Sequence, residues 1–282
     1  MSSLTNGILT AWKKVRRPKL LPAISLSVLA MYLTVALFAA FFAPHDPLYV
    51  DIAQRLQPPS PSYPLGTDQL GRCLLSRLLF GAGNTLAAAG VVLAGTVAAG
   101  TFVGLLAGFS GGWYDSILQR LMDGVLAFPG LILALAITGL LGPGLGNTVF
   151  ALTLVHWVGY ARITRNMTFS LRERTYIAAA YTAGAGPAAI LRRHILPAIV
   201  PTLAVLAALD YGRIILSIAG LSFLGLGAQP PVPEWGAMLS DGKAYMQTAP
   251  HLMLWPGLAI MGIVLSLQVF GEMLGQQTEK NG

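Results

Sequence analysis

The side chains able to do chemistry in this 282-residue chain are few and far apart. His156 sits in an apolar run, HWVGYAR, and imidazole is a ligand that transition metals accept. A metal site needs a second donor at helical spacing, and none stands beside His156, so helix packing and contact with a passing cargo both remain open. Asp210 and Arg213 lie three apart in another apolar run, on one face of a helix, where each offsets the cost of the other's charge. That spacing suits a structural or gating pair, or the lining of a translocation path. No residues are read as a metal site. The nine methionines contain no Met-x-x-Met cluster and read as packing, while Cys73, the single cysteine, permits neither an internal disulfide nor a cysteine-rich metal cluster.

Catalytic signatures are missing. The only Gly-Lys pair, Gly242-Lys243, is followed by Ala244, and Gly236 stands one residue too far upstream for the phosphate loop G-x-x-x-x-G-K-[ST]. No Ser, His and Asp set or H-E-x-x-H pattern supports hydrolysis. The chain therefore reads as a non-enzyme, and any active transport it performs must draw its energy from another protein.

Composition says what must position these residues. Hydrophobic residues are 55% and charged residues 10% of the chain, against about 25% charge in a soluble domain, and mean hydropathy is +0.66. This predicts an all-α polytopic membrane protein. The net charge of +7 does not point to nucleic acid, because the basic residues flank apolar runs instead of lining one polar face. Six runs reach the roughly 17–25 residues a bilayer demands, near 21–43, 84–109, 119–140, 146–164, 198–224 and 251–273. The first exceeds the roughly 7–15 residues of a signal-peptide core and has no clear cleavage site, so it reads as an uncleaved span.

Orientation follows from the cations. With both termini cytoplasmic, the inner side collects Lys13, Lys14, Arg16, Arg17, Lys19, Arg120, Arg162, Arg165, Arg172, Arg174, Arg192, Arg193 and Lys280, against Arg55, Arg72, Arg77 and Lys243 outside. Glu173, between Arg172 and Arg174, reads as a solvated cytoplasmic charge. The second span carries Gly100, Gly104 and Gly108 at intervals of four, a flat face that admits another helix, either of this chain or of a second subunit. No internal repeat divides the spans into matching halves, which weighs against an inverted-repeat carrier. A proton-coupled carrier using His156 and Asp210 as a relay is the rival from another class.

Two external segments look ordered. In QPPSPSYPLGTDQLGRCLLSRLLFG, prolines impose extended backbone, Gly66 and Asp68 set a turn and cap, and Leu70, Leu74, Leu75, Leu78 and Leu79 form a stripe expected to lie along the outer membrane surface. In FLGLGAQPPVPEWGAMLSDGKAY, Pro230, Pro231 and Pro233 stiffen the chain and Trp235 is expected to anchor at the interface.

The stretch from Tyr176 to Pro197, YIAAAYTAGAGPAAILRRHILP, cannot lie in lipid, since Arg192, Arg193 and its glycines and proline would be costly there. Its spacing resembles the cytoplasmic loop by which permease subunits of bacterial ABC importers dock on their ATPases: Ala178, Ala179, Ala180, then Gly184 and Ala185, then Ile195, Leu196 and Pro197. Ala178 stands where that family often has Glu. GTDQLGRCLLSRLLFG and LSFLGLGAQPPVPEWGAML resemble external segments of the peptide and nickel branch, with Cys73 in place of the usual Asp, and HWVGYAR and LDYGRIILSIAGLSFLGLG lean toward its nickel permeases. The resemblance spans essentially the whole chain. It implies residues 1–83 as cytoplasmic amino end, first span and external segment, and 84–282 as a core of five spans with a cytoplasmic ATPase-coupling helix pair. It further implies a multi-pass bacterial inner membrane location and import of nickel or a nickel chelate, with dipeptides or oligopeptides as the alternative. Expected partners are a second homologous permease, two ATP-binding subunits holding ATP and Mg, an external substrate-binding protein and membrane lipid, with no nucleic acid and no cofactor on this chain.

Overall fold

A computed structural model describes residues 20–281, with side chains from 21 to 277. Lys13, Lys14, Arg16, Arg17 and Lys19, and the side chain of Lys280, counted above for orientation, lie outside the described residues. The described chain is helical: α1 (Leu20–Phe42), α2 (Leu74–Ser110), α3 (Gly112–Leu126), α4 (Gly130–Leu141), α5 (Leu145–Arg172), α6 (Thr175–Thr182), α7 (Pro187–Ile190), α8 (Leu196–Phe223), α9 (Trp235–Gly242) and α10 (His251–Asn281). Helix α7 runs through a wide turn, Leu191–Ile195, straight into α8. Pro197 explains that turn: lacking an N–H it leaves the Arg193 carbonyl without its usual partner, and the Leu196 N–H reaches back five residues to Leu191 O.

Among the described residues four helices are long and apolar enough to cross a membrane: α1, α2, the continuous Pro187–Phe223 helix and α10. Helix α5 is 28 residues long but more polar, carrying His156, Arg162, Arg165 and Asn166. The run expected to span 119–140 is broken. Pro129 ends the helical path after Phe128, and α3 and α4 meet at 85°. At 12 residues, about 18 Å, α4 cannot by itself cross about 30 Å of hydrocarbon.

Helix α2 is the axis of the fold. Its 37 residues, about 55 Å, exceed the hydrocarbon thickness. Helix α5 lies along it in parallel. An added Cβ at Gly100, Gly104 or Gly108 would stand 2.5 Å from the carbonyl oxygen of Trp157, Ala161 or Arg165 respectively. The four-residue repeat thus sets backbone against backbone within this chain, which decides between the two partners left open above. Helix α8 supplies the centre of the core through Ile214, Ile215, Ile218 and Leu221, packed with Ala89 and Val92 of α2 and Leu152 of α5. Helix α10 covers α8, and α1 lies on α10, where Tyr32 Oη donates to Ala259 O at 2.9 Å.

Candidate translocation path and coupling segment

The two segments expected outside the membrane form one lock. Helix α2 begins at Leu74, and the residues before it form a turn in which Asp68 accepts from the N–H groups of Leu70 and Arg72. The expected helix along the membrane surface is therefore absent among the described residues: Leu74, Leu75, Leu78 and Leu79 are the first turns of α2, and Leu74 is buried. The polar side of this segment is buried too, because its charges are matched. Arg72 Nε meets Asp68 Oδ2 at 2.6 Å, Arg77 Nε approaches the same oxygen at 3.4 Å, and Asp241 of α9 lies 3.8 Å from both guanidinium groups.

The second external segment closes on the first. Glu234, fully buried, accepts from Thr85 Oγ1 at 3.0 Å and from the N–H groups of Gly236 and Ala237 at 3.0 and 2.9 Å, capping α9. Asn84 Nδ2 donates to Pro233 O. Trp235 is no interface anchor: it is 1% exposed, donates from Nε1 to Leu78 O at 3.0 Å and packs edge-on against Tyr32. Its indole finds an acceptor in the protein, so it gains full burial without losing a hydrogen bond. Sequence reasoning singled out both segments and missed that Thr85 and Glu234 join them.

Toward the membrane interior, Asp210 and Arg213 pair as their spacing predicts, Nη1 to Oδ1 at 3.1 Å. They share a sparsely covered face of α8 with Ser217, whose hydroxyl donates to Arg213 O, and Gly220, beyond which nothing lies within 4 Å. Tyr160 of α5 was not anticipated. Its buried hydroxyl has no hydrogen-bond partner, and its ring packs with Ile199 and Leu203, which sets α5 beside α8. His156, one turn from Tyr160 on α5, spends Nδ1 on Leu152 O at 2.9 Å. A carbonyl can only accept, so Nδ1 carries the proton and Nε2 is the nitrogen left over. Helix packing thus accounts for half of this imidazole.

At the other end, charge pairs hold α3 to α5. Arg165 grips Asp115, with Nε to Oδ1 at 2.9 Å, and Arg162 pairs with Asp123, while Arg172 Nη1 ties α5 to the end of α2 by donating to Phe109 O at 2.7 Å. Beyond them α6 and α7 form a helix pair. Gly184, at φ +85°, donates to Tyr181 O, and Ala185 N reaches Ala180 O, so α6 ends in a left-handed cap that glycine adopts at little cost. Ile177, Ile190 and Ile195 are fully buried with Ile199, Leu203 and Tyr160, mounting the pair on the bundle. Of the residues expected to face an ATPase, Ala178, Ala179, Gly184 and Pro197 are exposed, Ala180, Ala185 and Leu196 are half-buried, and Ile195 is buried.

These features belong to a known class of membrane component. Residues 100–280 match the family described as the binding-protein-dependent transport system inner membrane component, and the chain belongs to that family. It is 38% identical over 251 residues to the nickel transport system permease protein of Escherichia coli, covering 89% of this chain and 91% of that one. It is 38% identical to the dipeptide transport system permease protein of Alkalihalophilus pseudofirmus, covering 94% and 86%, and 41% identical to the glutathione transport system permease protein of Pectobacterium atrosepticum, covering 93% and 87%. The fold resembles a chain from inward facing conformations of the MetNI methionine ABC transporter, with TM-score 0.56 and 21% identity over 71% of this chain and 95% of that one. The chain is a non-catalytic permease subunit of the peptide and nickel branch of ABC importers, multi-pass in the inner membrane. Membership implies separate ATPase and substrate-binding components.

Proposed function

We propose that this chain is one of two permease subunits of an ATP-driven importer whose cargo is a small peptide. Six spans follow if α3 with α4 counts as one broken span and α5 as another, beside the four apolar helices. Both termini are then cytoplasmic, residues 1–83 form the peripheral part and 84–282 the core. A second permease, two ATP-binding subunits carrying ATP and Mg, and an external binding protein complete the machine.

The observation that carries the mechanism is continuity. From Pro187, just after the exposed Gly184 turn, to Arg213 the chain is a single helical path of 27 residues, about 39 Å. A displacement imposed on α6 and α7 by closing ATPases is conveyed along it to the Asp210–Arg213 face, switching the path between inner and outer access. For cargo, two of the three relatives named above carry peptides, a dipeptide and glutathione, at the same or higher identity than the nickel relative. A charge pair on an open helix face also suits a molecule with both an amino and a carboxylate group. Nickel or a nickel chelate is the second reading, supported by the resemblance of His156 to Arg162 and Leu209 to Gly227 to nickel permeases.

The test is uptake in cells carrying the complete importer. Deleting this chain is expected to abolish dipeptide accumulation. Unchanged dipeptide uptake with lost nickel uptake transfers the cargo to the metal, and no loss of either refutes the transport reading.

A further inference from the structure

Arg213 has hydrogen-bonding capacity that the chain leaves unused. Of its five N–H donors one is spent, from Nη1 to Asp210, and the side chain is 76% exposed. It stands ten residues, about 15 Å, before the end of α8 at Phe223. A guanidinium turned to lipid at such depth costs about 2.5–3.5 kcal/mol, so its open side faces water, cargo or another subunit. The two members of the pair differ in access: Asp210 is only 27% exposed, while Arg213 stands on the face of α8 where a Cβ added at Gly220 would meet nothing within 4 Å.

We propose that Arg213 receives a carboxylate of the cargo as it passes, and that Asp210 is the positioning residue that holds the guanidinium in place. The planar fork matches two carboxylate oxygens, and a helix-borne partner fixes its direction in advance. This deepens the path reading above and rests on it. It commits the cargo to molecules with a carboxylate, which include dipeptides, glutathione and metal chelated by an amino acid. A bare hydrated cation offers the guanidinium no carboxylate to receive.

The assembled importer in lipid nanodiscs provides the test, with Ser217→Cys, one turn from Arg213, introduced in a Cys73→Ser background. The labelling rate of Cys at 217 by a small maleimide, read by mass spectrometry of this chain, is compared with L-alanyl-L-alanine, its C-terminal amide, glutathione and histidine-chelated nickel, each at about 10 mM. The dipeptide is expected to slow labelling about threefold or more and the amide not at all. Arg213→Gln should abolish that difference and Arg213→Lys should retain part of it. Equal protection by dipeptide and amide, protection unchanged in Arg213→Gln, or no protection by any carboxylate-bearing probe overturns the proposal. So does failure of the folded Arg213→Gln chain to assemble with its partner subunits on size exclusion, which would assign Arg213 to a partner subunit. ATP-driven uptake by the same preparation is measured alongside: its absence for every cargo refutes the transport reading, whatever the labelling shows.

Discussion

Replacing Gly104 by alanine adds one methyl group at the middle of the three close approaches between α2 and α5. The new Cβ would stand 2.5 Å from Ala161 O, 2.6 Å from Thr164 Cβ and 3.0 Å from the Arg165 backbone nitrogen. Two of those atoms are backbone, so no side chain can swing aside. The helices must separate by roughly 1 Å, and that shift loosens the same contact at Gly100 and Gly108. Overpacking of this kind costs about 1–3 kcal/mol, set against the roughly 0.5–1 kcal/mol that alanine gains over glycine in a helix. We expect a net loss of about 1–2 kcal/mol. Adding Gly100→Ala should cost less than it does alone, because the first displacement already makes room. The control is Gly139→Ala on α4, where nothing lies within 4 Å, so the helical gain is unopposed. The assay is equilibrium unfolding of the purified chain in mixed micelles. A Gly104→Ala variant as stable as Gly139→Ala would refute a backbone-to-backbone contact.

Glu234→Ala removes the acceptor of three hydrogen bonds in a fully buried site and should cost about 2–4 kcal/mol in the same unfolding assay, with Glu234→Gln between it and the parent. In the Asp210 and Arg213 cycle, Arg213→Gln alone leaves a carboxylate unpaired, so adding Asp210→Asn should restore folded yield without restoring uptake; a double variant no better than the worse single one argues for separate roles. Topology is checked by an impermeant thiol reagent on intact cells in a Cys73→Ser background. Cysteine at the exposed Ser62 should react and cysteine at the exposed Ala183 should not, and the reverse pattern inverts the orientation.

What could be read in advance depended on local signals. The α1 run, the Gly100, Gly104 and Gly108 face and the Asp210–Arg213 spacing each carry their meaning within a few residues. The break between α3 and α4 was also written locally, in Phe128-Pro129-Gly130, but an apolar run long enough for a span concealed it. The external lock was not accessible in this way. The leucines from Leu70 to Leu79 have the period of a surface helix, and their polar side is buried because Arg72 and Arg77 are matched by Asp68 and, far along the chain, by Asp241. Trp235 near a membrane exit reads as an anchor until Leu78 O is seen to accept its N–H. Tyr160 carried no signal beyond its place one turn after His156, since its meaning depends on which face of α8 it meets.

The central claim is that work done by ATPases enters through the Gly184 turn and reaches the path along α8. Its most direct test measures ATP hydrolysis and cargo uptake together in proteoliposomes holding the complete importer, with the parent chain or Gly184→Trp. Gly184 is exposed, and a Cβ added there has no atom of this chain within 4 Å, although a side chain at φ +85° strains the cap. Circular dichroism and assembly of the variant should match the parent, while both cargo-stimulated hydrolysis and uptake are lost. A folded, assembled Gly184→Trp importer that hydrolyses ATP and accumulates cargo like the parent would contradict the account.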